Sequence, residues 1–158
     1  MIFVTVGTQK FPFDRLVKAL DLNKKEYLNE EIYAQIGSSK YKPENFDYID
    51  YLTSNDALEY IKKSEIVITH AGTSSIIHAL REKKKIIVVP RQKRYGEHVD
   101  NHQLEICKAF ASENYIEELY DVRNLTAKIK DVRNKKYNEY NFDNDDLLTS
   151  IRAFIYGG

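Results

Sequence analysis

The chemistry most plainly written in this chain is the seating of an anion. Between Ser64 and Leu80 the sequence runs Ile66-Val67-Ile68-Thr69, then His70-Ala71-Gly72, then Thr73-Ser74-Ser75, and an apolar helical pattern follows to about Glu82. An unbroken β-branched run is the pattern of a parallel strand covered on both faces. Gly72 allows a close backbone approach, and the hydroxyl residues after it suit a helix start. A helix start carries N–H groups without intrahelical partners at its positive end, which is a seat for phosphate. Strand, glycine turn and capped helix also occur in α/β proteins that bind nothing. Here two neighbours point to a site: His70 adjoins the turn, and Gly7-Thr8 closes the first strand at the same expected sheet edge. Ligands of open α/β sheets bind at that edge. A plain turn glycine is the alternative reading of Gly7.

The elements that must hold these groups alternate in type. Strands are expected at Ile2 to Val6, Ile32 to Ile36, Phe46 to Tyr51, Ile66 to Thr69, Lys85 to Val89 and Tyr115-Ile116. Helical spacing is read at Phe13, Leu16, Val17 and Leu20, at Ala57 to Lys62, through Leu104, Ile106, Cys107, Phe110 and Ala111, and at Leu125 to Val132. A last helix, Asp145 to about Tyr156, carries Leu147, Leu148, Ile151, Phe154 and Ile155 on one side and ends at Gly157-Gly158. Strands alternating with helices predict an α/β fold, an open doubly wound and mostly parallel sheet. The expected organisation is a ligand-binding domain over residues 1–133, then a polar, mobile connector and terminal helix over 134–158. The loop Arg91 to Asn101 is too long and too rich in functional groups for a minimal connection.

Composition bounds the partners. Lys plus Arg and Asp plus Glu both number 24 in 158 residues, so no overall field recruits nucleic acid. One cysteine, Cys107, builds neither a disulfide nor a zinc cage. With no charged leader and no apolar run of bilayer length, a reducing, cytoplasmic setting is expected. No Asp-x-Asp pair stands at a strand end, so neither metal nor cofactor is expected.

Three blocks together resemble a known family. Phe3-Val4-Thr5-Val6-Gly7-Thr8, His70-Ala71-Gly72-Thr73-Ser74, and Val89-Pro90-Arg91 with Gly96-Glu97-His98-Val99-Asp100-Asn101-His102-Gln103 are similar, in order and spacing, to the carboxyl-terminal domain of glycosyltransferase family 28. The nearest likeness is to its stand-alone halves, the small subunit of the dolichol-linked N-acetylglucosaminyltransferase and the PssE-type subunits of polysaccharide synthesis. The resemblance implies a Rossmann-like GT-B donor half. Such a half binds a UDP-sugar and works as a heterodimer with a membrane-anchored PssD-type chain that holds a polyprenyl-diphosphate-linked acceptor. It would transfer galactose or N-acetylglucosamine with inversion in capsular or exopolysaccharide synthesis, at the inner face of the plasma membrane through its partner. A non-catalytic accessory subunit is the alternative.

For the site, the resemblance implies a diphosphate on the amides of Ala71, Gly72 and Thr73, with hydroxyls from Ser74 and Ser75 and with Gly7-Thr8 beneath. His70 would donate to a phosphate or orient the sugar, and Arg91, Lys93 and Arg94 would supply charge without a metal. His78 stands where the family commonly has a glutamate gripping the ribose hydroxyls. Imidazole accepts one such bond, not two. Glu97, His98, Asp100, Asn101 and Gln103 would face the hexose, with Asp100 or Asn101 capping the helix that follows. The terminal helix and its connector, with Tyr137, Tyr140 and Phe142, would help dock the partner.

Overall fold

A computed structural model describes residues 1–27, 29–143 and 146–156. Six strands form one sheet: β1 (Ile2–Thr5), β2 (Ile32–Gln35), β3 (Asp47–Ile49), β4 (Ile66–Thr69), β5 (Lys85–Val88) and β6 (Glu117–Glu118). Every pairing is parallel, in the order β3-β2-β1-β4-β5-β6. Six α-helices cover it: α1 (Asp14–Leu22), α2 (Ser54–Lys63), α3 (Thr73–Arg81), α4 (His102–Ser112), α5 (Leu125–Asn134) and α6 (Asp146–Tyr156). The chain begins at the centre, builds outward to β3, and returns past β1 to lay down β4. The reversal opens a crevice at the carboxyl ends of β1 and β4.

Both faces of the sheet are buried because successive residues of a strand point to opposite sides. Ile2, Val4, Ile66 and Ile68 pack with Leu16, Val17 and Leu20 of α1 and Leu125, Ile129 and Val132 of α5. Phe3, Val67, Ile86 and Val88 pack with Ile61 of α2, Ile76 and Leu80 of α3, Ile106 and Phe110 of α4, and Leu148 and Ile151 of α6. The apolar strand runs thus reflect a two-sided core, as expected for a parallel sheet.

Strands β1, β2 and β5 end one residue earlier than expected, at Thr5, Gln35 and Val88, and four larger differences separate the structure from the sequence reading. Edge strand β3 keeps only three exposed residues, since it pairs on one side alone. Helix α2 starts at Ser54, because Thr53 caps it by accepting the N–H of Asp56 at 3.1 Å. The sixth strand is Glu117–Glu118 rather than Tyr115-Ile116: Ile116 sinks into the core, and the ladder to β5 pairs Ile87 with Glu117 and Val88 with Glu118. The connector after α5 is pinned to the body. Asn138 N donates to the Asn114 carbonyl at 2.9 Å, Tyr137 Oη donates to Glu117 at 3.0 Å, and Tyr140 is buried edge-on against Tyr115. Aromatic rings there supply the apolar area that missing aliphatics do not. Tyr137 and Tyr140 are therefore occupied within the chain, while Phe142 stays exposed beneath the Arg81 guanidinium. Asp145 and Gly157-Gly158 lie outside the described residues, as do the side chains of Phe154 and Ile155. Among the described residues no helix is long and apolar enough to cross a membrane.

Candidate functional site

At the crevice, the chain leaves β1 through Val6 to Gly7 and leaves β4 through His70-Ala71-Gly72. Gly7 has φ +77°, a left-handed backbone that glycine adopts without strain. The imidazole of His70 lies between the two glycines. A methyl group on Gly72 would come within 2.2 Å of His70 Nε2, and one on Gly7 within 2.5 Å. The glycines thus make room for the histidine ring itself, a closer reason for their presence than the approach of a ligand.

The Thr69 hydroxyl donates to the His70 carbonyl at 2.9 Å and lies 3.3 Å from Nδ1. Burial, reinforced by the nearby charge of Arg91, pushes the His70 pKa down to about 3. The ring is neutral at physiological pH. It can orient a ligand by hydrogen bonding but brings no charge to a diphosphate.

Gly72 is the N-cap residue of α3, and among the described residues no side chain caps the helix. The sequence reading placed hydroxyl caps here. Instead Ser74 points to solvent and Thr73 and Ser75 are half-exposed, so the first-turn amides keep no side-chain acceptor of their own. These amides, with the positive helix end, face a cleft of about 420 Å³. Gly7, Thr8, His70, Gly72, Thr73, Ser74, Ser75 and His78 all line it. These expected site residues come together from two strand ends and one helix.

The remaining expected residues do not line this cleft. Arg91 is fully buried, and its guanidinium donates to the carbonyls of Phe11 (2.8 Å), Glu97 (3.1 Å) and Val6 (2.6 Å). Burial pushes its pKa down to about 10, and its positive end is spent on backbone. Gln103 Oε1 accepts the N–H groups of Ala71 (3.1 Å) and Arg91 (2.9 Å), tying the α3 turn to the loop after β5. Both Gln103 and Ala71 are thereby internal, not open to a sugar. Asp100 Oδ1 accepts the N–H of His102 and so caps α4, and Asp100 also sits between the His98 and His102 rings at 3.1 and 3.4 Å. Asn101 Oδ1 accepts the N–H of Lys93, and His98 stacks on Phe11. Glu97 is clasped by Arg15 through two bonds of 3.0 Å.

The cleft also contains residues that the sequence reading passed over: Thr5, Gln9, Gln35, Leu52, Thr53 and Ser54. Thr5, Gln35 and Thr69 are the last residues of β1, β2 and β4, side by side in register and buried. A signal for them exists in the sequence. Each polar residue closes an apolar strand and is followed within three residues by glycine: Gly7, Gly37 and Gly72.

The glycosyltransferase family 28 C-terminal domain matches this chain over residues 1–150. The human UDP-N-acetylglucosamine transferase subunit ALG13 is 34% identical over 125 residues, which cover 73% of this chain and 10% of that protein. The Candida albicans protein of the same name is 32% identical over 100 residues, 63% of this chain and 32% of its own length. The matched region therefore spans at most about a third of these two relatives. Among solved structures, the NMR solution structure of ALG13 superposes with a TM-score of 0.60 at 21% identity, covering 97% of this chain and 93% of that one. The glycotransferase of kitacinnamycin superposes with 0.57 at 11% identity, covering 99% and 39%. At these identities the superpositions speak to the fold alone.

Proposed function

The chain belongs to the glycosyltransferase family 28 C-terminal domain family, and on that premise we propose that it is the donor-binding subunit of a two-chain, inverting GT-B hexosyltransferase. The observation that carries this reading is the α3 start: first-turn amides without a side-chain cap, facing a cleft at the crevice of the sheet. Transfer from a UDP-sugar leaves negative charge on the departing diphosphate. Fixed N–H dipoles at a helix start meet that charge without reorganising.

The relatives' printed names favour UDP-N-acetylglucosamine over UDP-galactose as donor. The acceptor in this reading is a polyprenyl-diphosphate-linked sugar held by a membrane-anchored, PssD-type partner. Its setting is capsular or exopolysaccharide synthesis at the cytoplasmic face of the membrane. Partner, polymer and location rest on the family resemblance.

An inverting transfer needs a base to take the proton of the acceptor hydroxyl. His70, neutral with a pKa of about 3, takes up a proton only in acid. That supports a base supplied by the partner chain.

Titration of the purified chain, alone and assembled with its partner, with UDP-N-acetylglucosamine and UDP-galactose tests the proposal. Donor binding in the assembly is expected, with N-acetylglucosamine preferred and turnover only when both chains and lipid acceptor are present. Turnover by the lone chain would contradict it. His78 in the cleft favours a second reading, an accessory subunit that stabilises the partner, because its imidazole offers the ribose one acceptor where a carboxylate offers two. Absence of nucleotide binding by the assembly would select that reading.

A further inference from the structure

Resting on the donor-site reading, we propose that the Thr5 hydroxyl is a nucleotide-binding group, a donor aimed at an acceptor oxygen of the bound nucleotide. Its bonding partners within the chain leave it no other use. Leu52 N–H donates to Gln35 Oε1 at 2.7 Å. A backbone N–H can only donate, so this bond fixes which end of the Gln35 amide is oxygen. The other end, Nε2, therefore donates to Thr5 Oγ1 at 2.8 Å. Gly7 N–H donates to the same oxygen at 3.1 Å. Two incoming donors occupy both acceptor positions of a hydroxyl, and what remains is its proton.

Among the described residues no acceptor for that proton is found in the chain, although Thr5 is 4% exposed and lines the cleft. A buried donor without an acceptor is costly, and a ligand oxygen at the site would relieve that cost. Thr5 stands beside Gly7 and, across the β1–β4 register, opposite Thr69. This location puts it between the α3 start and the Leu52 wall of the cleft. Diphosphate oxygens and pyrimidine carbonyls both offer the acceptor-only chemistry the hydroxyl requires. Gln35 is then a positioning residue. It commits the Thr5 oxygen as an acceptor and so commits its proton to the ligand, while holding Leu52 in the cleft wall.

The test is calorimetric titration of the assembled two-chain protein with UDP, inorganic diphosphate and uridine. Thr5→Val removes the hydroxyl, and a loss of about tenfold or more in UDP affinity is expected for a hydrogen bond to a charged or polarised oxygen. Thr5→Ser should restore affinity to within about threefold. Thr5→Val also strips the acceptor from Gly7 N–H and Gln35, so it is expected to melt earlier. Gln35→Glu is the second probe. It keeps the acceptor for Leu52 N–H but replaces the amide donor with a carboxylate oxygen, to which the Thr5 proton would turn. A similar loss of UDP affinity is expected with the fold retained.

In the Thr5→Val background, Gln35→Glu should add little further loss, because the hydroxyl it redirects is already gone. A full additive loss would mean the new charge acts by itself, and would overturn the assignment. So would UDP binding by Thr5→Val equal to that of the unaltered protein. Loss against inorganic diphosphate places the bond on a phosphate oxygen, whereas loss against uridine places it on the base; each supports the proposal. If the unaltered assembly binds no UDP, the donor reading itself fails, a result distinct from any difference among variants.

Discussion

Two segments at the carboxyl edge of the sheet, the α3 turn (70–75) and the loop 91–103, look alike in sequence and differ in what they leave unused. Both carry histidine, hydroxyl or amide groups beside glycine, and both follow a buried strand. In the loop most such groups are already bonded within the chain, the buried Arg91 Nε and Gln92 Nε2 being exceptions. Arg91 holds three carbonyls, Glu97 holds Arg15 and the N–H of Gln92, Gln103 holds two backbone N–H groups, and Asp100 caps α4. In the turn, the α3 amides have no side-chain acceptor among the described residues, and the neutral ring of His70 borders open cleft. Richness in functional groups therefore marks two different things here. The loop is a brace, and the turn is a seat. The brace supports the seat through Gln103, which grips Ala71 on one side and Arg91 on the other.

Breaking the brace gives the largest expected effect. Arg15 and Glu97 form a two-pronged ion pair whose side chains are 16% and 3% exposed. Arg15 also donates to the carbonyls of Tyr120 and Pro90. Arg15→Met would leave the Glu97 carboxylate buried without its cation, at a cost of about 3 kcal/mol. Chemical denaturation should show this loss of stability. UDP affinity of the folded fraction should change little, because neither residue lines the cleft. A large drop in affinity at unchanged stability would make the loop a ligand site after all.

Breaking the seat should show the reverse balance. Gly72→Ala would set a methyl group 2.2 Å from His70 Nε2, so the ring must leave its slot. Overpacking of this kind costs about 1–3 kcal/mol. The displaced ring would enter the cleft, and nucleotide binding should fall below detection. Gly72→Ala combined with His70→Ala removes the ring that is struck, so stability should recover by more than the sum of the separate effects allows. Failure to recover would show that Gly72 is needed for its own backbone.

The difference between brace and seat also marks what was legible in the sequence. Strand β4 was readable to the residue from its unbroken β-branched run, Ile66-Val67-Ile68-Thr69, and the turn after it from Gly72, whereas the absence of a hydroxyl cap on α3 was not. Strand β6 was not, since Glu117–Glu118 has no strand propensity and is held by its ladder to β5. The connector was misread as mobile because its aliphatics are few, while Tyr137 and Tyr140 do the packing. For the site, the glycine positions could be read because they stand at strand ends in the sequence, although the His70 ring they make room for could not. Whether Arg91, Gln103 or Asp100 was free could not, because that depends on partners such as Phe11, Val6 and Ala71, most of them distant in sequence. Thr5, Gln35 and Thr69 went unnoticed for the same reason: each is a single polar residue closing a strand, and their common row exists only once the strands pair.

Acid provides the finest probe of the comparison, because one group of the seat titrates far from its ordinary value. His70 in the folded protein has a pKa of about 3, below the ordinary value of 6.5, chiefly because burial penalises its charged form. As pH falls through 6.5 the unfolded chain takes up this proton while the folded chain does not. Stability contributed by the neutral ring is therefore complete above pH 6.5 and is lost progressively as pH falls toward 3. The slope from this one group approaches about 1.4 kcal/mol per pH unit in that window. His70→Gln should flatten the profile of stability against pH between 6.5 and 4. If the profile of His70→Gln matches that of the unaltered protein, the ring is not buried in solution. The seat would then present a protonatable group to the diphosphate, and UDP affinity would rise as the pH is lowered through 6.5.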